Sequence, residues 1–334
     1  MSQHVSIVGA GVTGLSCATE LVARGVEVTI YDRAETIGPA SCSWYAGGML
    51  APWCERENAE QHVITLGAMA TDWWDTNTGL VSRNGSLVVA QGRDKAELSR
   101  FAARTSNFEE LGTDAISALE PDLASRFQRA LFFTEEAHLD ARKAVKELAA
   151  RLEQNGATFK MACEVDITGL AQSTTVIDAR GFTARDRLPE LRGVKGEMLL
   201  VHCRDVSLSR PVRLLHPRIP LYIVPREDGV FMVGATMIES ADGKRISVRS
   251  MLELLGSAYS LHPAFGEAEI LETGVDVRPA YPDNLPRITT NGNIISVNGM
   301  YRHGFLLSPA IARQAAAMIV AESPNREVPH AHHT

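Results

Sequence analysis

Between Val5 and Asp32 the chain spells out a strand, a glycine turn, a helix, a second strand and an acid. Val5-Ser6-Ile7-Val8 is β-type and runs straight into Gly9-Ala10-Gly11-Val12-Thr13-Gly14. A run of small and apolar residues from Leu15 to Ala23 closes at Gly25, and Val26 to Tyr31 then leads to Asp32. In such a βαβ unit the first glycine permits the tight turn, the second lets the backbone approach a pyrophosphate, and the third lets helix and strand pack closely. Unpaired amides and the positive dipole end at the helix start suit phosphate oxygens. Asp32 stands where a carboxylate accepts hydrogen bonds from an adenosine ribose, which disfavours a 2′-phosphate. The unit predicts an α/β fold of the dinucleotide-binding kind, with Gly9, Ala10, Gly11, Val12, Thr13, Gly14 and Asp32 at the cofactor.

The 334 residues are enough for two domains with sizeable cores, and 45% hydrophobic with 22% charged residues is the balance of a globular protein. A net charge of −7 argues against nucleic acid or an anionic membrane surface as the main partner. No segment is expected to reach bilayer-spanning apolar length, and the first residues show no secretory pattern, so the expected location is the cytoplasm. Cys17, Cys42, Cys54, Cys163 and Cys203 have no metal-type spacing and read as free thiols; no metal site is expected. His330, His332 and His333 belong to an expected flexible tail, residues 327–334.

Arg33 and Gly38 begin a loop after the ribose acid, and the run Ser41 to Pro52, with Gly47-Gly48, exposes amides to which a flat ring can lie close. A helical pattern from Asn58 to Thr76 ends in Trp73-Trp74, which read as core. Strands are expected at Leu87–Ala90 and Leu131–Phe133, and a helix from Asp94 to Thr105. Asp140 predicts an N-cap for a helix from Ala141 to Gln154, with Gly156 beyond its end. Strands follow at Thr158–Cys163 and Thr175–Asp178, with Val165 placed to cover an adenine and Gly181 closing the unit. Residues 194–271 read as strand-rich, with a helix over Glu253–Tyr259. Near the end, strand Ile294–Val297 leads into Gly299-Met300-Tyr301-Arg302-His303-Gly304-Phe305, and Ser308-Pro309 read as the start of a helix from Ala310 to Ala321. The expected division gives residues 1–78, 137–190 and 272–326 to the nucleotide domain, and 79–136 and 191–271 to an inserted, largely antiparallel substrate domain.

These stretches, in this order, carry a resemblance. The Gly9–Gly14 loop with Asp32, the Ser43–Pro52 run, Tyr222-Ile223-Val224-Pro225-Arg226, Val233-Gly234-Ala235-Thr236-Met237, Val277-Arg278-Pro279 and Tyr301-Arg302-His303-Gly304 together resemble the D-amino-acid-oxidase-like flavoenzymes. Among these the sequence is most similar to the glycine oxidases of thiamine biosynthesis. The resemblance implies non-covalent FAD held by a Rossmann-type domain, beside a mixed-sheet substrate domain. It extends expected cofactor contacts to Arg33, Ser43, Gly47, Gly48, Met49, Val165, Gly181, Arg302, His303, Gly304, Phe305 and Leu306.

It also implies a substrate site of Arg302, Tyr222, Arg278 and Met237, with Arg302 gripping a carboxylate in the bidentate way guanidinium allows. The implied reaction is hydride transfer from the Cα of a small amino acid to the flavin. The products would be an imine, then an oxo acid and ammonia, with hydrogen peroxide from oxygen and a possible hand-off to a thiazole synthase. The chain departs from the family pattern at Asp276, Arg287, Thr289 and Met300. Three other readings stay open: a D-amino-acid dehydrogenase, a sarcosine-type oxidase, and a non-catalytic FAD carrier. Against them stand Arg302 and Tyr222, and the lack of any cysteine after Cys203 for a covalent flavin link.

Overall fold

The computed structural model describes residues 3–57, 61–216 and 220–321; the expected tail and its histidines lie outside these. Alternating apolar residues make the first strand, His4–Val8, the centre of a six-stranded sheet. The order across it is Arg287–Asn291, Ile294–Asn298, Thr175–Asp178, His4–Val8, Glu27–Tyr31 and Thr158–Lys160. Every pairing is parallel except that of the edge strand Arg287–Asn291, which was not foreseen. The chain order of the strands reverses between His4–Val8 and Thr175–Asp178. A crevice opens at such a switch point, outside the carboxyl ends of the strands, and it is where this kind of sheet takes its ligand.

Helix Val12–Val22 covers one face and packs against the last helix, Gly304–Ala321. Val5, Ile7, Leu15, Leu21 and Ile30 are fully buried in this layer. Each contributes about 1.5–3 kcal/mol of burial before the entropy of ordering it is subtracted. Helix Ala141–Gln154 begins where its cap predicts: the Asp140 carboxylate accepts hydrogen bonds from the amides of Arg142 and Lys143. Gly156 lies past its end at φ +91°.

The nine-stranded second sheet draws on two stretches of chain. Ser86–Ala90, Glu109–Gly112 and Arg129–Phe133 come from the first, and Arg192–His202, Val212–Leu215, Leu221–Pro225, Val230–Gly234, Ile238–Glu239 and Glu269–Ala280 from the second. Its strands pair antiparallel apart from Val212–Leu215 with Ser86–Ala90. Glu269–Ala280 runs through the boundary expected at 272, because its residues stay paired with Arg192–His202 as far as Ala280.

Two expectations about the last helix are corrected. It starts at Gly304, so Ser308 and Pro309 lie inside it and do not cap it. Proline at 309 has no N–H to give to the Phe305 carbonyl four residues back, and the Trp74 indole takes its place with a 2.8 Å hydrogen bond. The helix is also apolar and long enough to cross a membrane, with a hydropathy of 1.4 over 18 residues, contrary to the sequence expectation. Most of it is buried inside the protein, against Val12–Val22, Gln61–Gly67 and Ala70–Thr78, and that packing accounts for its apolarity.

Candidate active site

A cavity of about 750 Å³ begins at the glycine turn and runs to the second sheet. Gly9 holds φ +109°, and a side chain there would sit 2.5 Å from the Ala179 carbonyl oxygen. At Gly14 it would lie 1.9 Å from the Gly9 carbonyl oxygen, so only glycine lets the helix approach the strand. Gly11 keeps the cavity floor bare beside Ser41, and the amide of Val12 donates to the Ser43 hydroxyl at 3.0 Å.

Asp32 works twice on its own backbone. One carboxylate oxygen accepts from the Ala10 amide at 2.7 Å and the other from the Ala34 amide at 2.8 Å. The acid therefore braces the glycine turn while still lining the cavity, where a second lone pair on each oxygen is open to a ribose.

The structure brings most of the expected cofactor residues to this one surface. Gly9, Gly11, Val12 and Thr13 line it at the turn, and Asp32, Arg33 and Val165 beyond the strand ends. Ser43, Gly47, Gly48, Met49 and Gly181 border it, and so does the turn from Arg302 through His303, Gly304, Phe305 and Leu306. Ala10 and Gly14 are not part of the lining; their role is the bracing and close packing just described. A bare backbone cradle, a helix start on each side and a braced acid fit an FAD molecule.

At the second sheet Tyr222 packs over Gly47, where a side chain would come within 3.0 Å of its ring. Tyr222 is paired across strands with Arg213. Burial raises the Tyr222 hydroxyl pKa, against the pull of Arg278, Arg302 and Arg213, and so keeps it protonated. The Arg278 guanidinium lies against Gly196, where a side chain would fall 2.3 Å from Nη2. Its Nη1 donates to the Thr236 carbonyl at 3.0 Å. Thr236 is itself fixed by the buried Glu197, which accepts from its hydroxyl at 2.9 Å. Among the described residues no carboxylate ion-pairs with Arg278.

Arg302 is differently placed. Its Nη2 is bound to the Glu55 carboxylate, and its Nη1 lies 3.4 Å from the Met237 sulfur. Met237 is 46% exposed and sits outside the cavity lining, touching Tyr301 and Arg302. Glu55 also accepts from Arg213 at 2.7 Å. Burial opposes its charge, yet Arg302 and Arg213 beside it hold the carboxyl well below the usual carboxylate range. His303 is buried 3.6 Å from Glu55, and burial pushes it down to about 4, so it is neutral near pH 7. Glu55 and Arg213 were not foreseen. Glu55 is one of three successive charges, Glu55-Arg56-Glu57, and Arg213 is an isolated charge in a strand, so neither carries a local signal.

The DAO family, described as FAD dependent oxidoreductase, matches residues 4–318. A Rhizobium etli protein provisionally assigned as the thiamine biosynthesis oxidoreductase ThiO is 56% identical over 325 residues, 97% of this chain and 98% of that protein. A Nostoc protein named bifunctional ThiO/ThiG is 28% identical across the whole chain, which spans 55% of its length. The crystal structure of glycine oxidase from Bacillus cereus ATCC 14579 superposes with a TM-score of 0.80 at 23% identity, covering 97% of this chain and 96% of the other.

Proposed function

This chain belongs to the DAO family of FAD-dependent oxidoreductases and is of the glycine oxidase/ThiO type, and from that premise we propose that it oxidises the amine of glycine or a similarly small amino acid. The observation that carries the reading is the Arg278 guanidinium, which has no carboxylate ion-paired with it among the described residues and is set in the cavity wall beside the protonated Tyr222. A planar, permanently charged fork suits a substrate carboxylate, and the phenol adds a donor to it. In this reading Arg278 takes the carboxylate and Arg302, already joined to Glu55, braces the neighbouring wall.

Bound FAD supplies a two-electron acceptor for the hydride that leaves Cα. Gly9, Gly11 and the helix start at Val12 would hold its pyrophosphate, Asp32 its ribose, and the Gly47-Gly48 backbone its ring. The contribution of Arg278 and Tyr222 is positioning: a carboxylate fixed at two points leaves one Cα–H direction, which removes much of the entropic barrier. No side chain has to act as base if the amine binds neutral, its remaining N–H proton passing to solvent. His303 is held neutral and faces Glu55, which suits packing and not proton transfer to substrate. The products are an imine, which water converts to an oxo acid and ammonia, and hydrogen peroxide where oxygen takes the electrons.

The Rhizobium etli relative supports a role in thiamine biosynthesis. The joining of ThiO to ThiG in one Nostoc chain supports hand-off of the imine to a thiazole-forming partner. The test is oxygen uptake with glycine, sarcosine, D-alanine and D-proline, followed by assay of oxo acid and peroxide. Peroxide and glyoxylate from glycine support the proposal, whereas turnover of bulky D-amino acids alone refutes it.

A further inference from the structure

The Glu55 carboxylate reaches the cavity at the end where Tyr222, Arg278 and Arg302 meet. It closes the short helix Pro52–Glu55 and is 8% exposed. Both of its oxygens are engaged, one by Arg213 and one by Arg302, and these partners keep it ionised. Arg213, Arg278 and Arg302 bring three positive charges to this end, and Glu55 cancels one of them. Neutral His303 adds none. Glu197 and Asp276 also line the cavity, but among the described residues neither is ion-paired with Arg302: Glu197 is held by Lys195 at 3.0 Å, and Asp276 lies within the field of Arg33 and Arg278.

We infer that Glu55 is a specificity-determining residue that restricts the site to amines bearing a single carboxylate. The inference rests on the reading that Arg278 receives the reacting amino acid's carboxylate. A substrate so held would direct a second carboxylate to the wall formed by Arg302 and Glu55. The cation there already has its counter-ion, and the incoming group meets the fixed negative charge of Glu55, which is itself 8% exposed. Juxtaposed like charges across a contact are strongly disfavoured, and specificity is commonly built by such a repulsive element. Without Glu55 the same wall would present an unpaired guanidinium and would take a dicarboxylate.

The test compares acetate and malonate binding to the FAD-loaded protein by titration calorimetry, so that no turnover is needed. Wild type binds acetate more tightly than malonate by at least about tenfold, and Glu55→Gln closes that gap by at least about tenfold. Because Glu55→Gln strips the counter-ion from two partly buried arginines, the double variant Glu55→Gln/Arg213→Gln serves beside it. It removes one charge of each sign and leaves Arg302 facing the cavity. Turnover follows the same order, with iminodiacetate gaining on sarcosine in both variants.

Equal affinity of wild type for acetate and malonate overturns the inference, as does a loss in the variants that is the same for both ligands. If Glu55→Gln alone does not fold, the charge-balanced double variant decides. A wild type that prefers acetate and variants that lose the preference, in a protein that leaves glycine unoxidised, refute the proposed reaction and keep the role of Glu55. One that oxidises glycine and binds malonate equally well does the reverse.

Discussion

The Trp74 indole nitrogen donates a 2.8 Å hydrogen bond to the main-chain carbonyl of Phe305, the acceptor that Pro309 leaves without its helical partner. Trp74 is fully buried and its ring lies 5.2 Å from that of Phe305, so the first turn of the last helix is pinned from outside by one side chain. That turn follows directly on Arg302 and His303 and lines the cavity. Trp74→Phe keeps an aromatic ring but orphans the buried carbonyl, which costs about 1–3 kcal/mol, with packing loss added. Urea unfolding of the FAD-loaded protein should show a lower midpoint with an unchanged slope.

Asp32→Ala removes the acceptor of both the Ala10 and Ala34 amides and the carboxylate facing the cavity. Hydrogen bonds to a charged acceptor contribute about 1.5–3 kcal/mol, so FAD affinity should fall by at least about tenfold while the far-ultraviolet spectrum is retained. Flavin fluorescence quenching on titration with FAD measures it. Gly14→Ala should behave otherwise. Its side chain would meet a backbone oxygen at 1.9 Å, so both cofactor retention and thermal stability should drop.

Much of the nucleotide half was legible because its signals are local. The glycine turn, the Asp140 cap and Gly156 are each read from a few neighbouring residues, and each fixes an element end. The last helix misled for the same reason. Ser308-Pro309 is a good helix start by local chemistry, and only the distant Trp74 explains why the helix runs through it from Gly304. The substrate end was legible in its residues but not in their partners. Glu55 meets Arg213, 158 positions away, and Arg302, 247 positions away, and no periodicity carries such a pairing. Strands Glu109–Gly112, Val212–Leu215 and Arg287–Asn291 escaped notice too, being short and held by pairing more than by apolar pattern.

Glu136 gives a pH signature. It is 1% exposed, takes a hydrogen bond from the Cys54 amide at 2.7 Å, and burial raises its pKa from the ordinary 4.5 to about 7. Between those values the folded protein holds a proton that the unfolded chain has lost, so this group's contribution falls as pH rises from 4.5 to 7 and is flat above. Burial of His138 and His303 lowers both to about 4, which works the opposite way, stability rising from pH 4 to 6.5. The difference between Glu136→Gln and wild type isolates the carboxyl. The variant should gain on wild type across that window, by roughly 3 kcal/mol at pH 8 relative to pH 4. Urea unfolding at a series of pH values checks it, and a difference independent of pH would refute the assignment.

Anaerobic reduction separates the role of Arg278 from that of Arg302. Purified FAD-loaded protein is mixed with glycine in the absence of oxygen, and the visible flavin absorbance is followed for wild type, Arg278→Ala and Arg302→Ala. With Arg278 as the carboxylate anchor, wild type bleaches, and Arg278→Ala requires at least about a hundredfold more glycine, the equivalent of losing a charge-assisted bidentate pair. Arg302→Ala, whose partner is Glu55, loses less. A wild-type protein that binds FAD yet stays yellow with every small amino acid would contradict the account, and so would an Arg278→Ala variant that bleaches as readily as wild type.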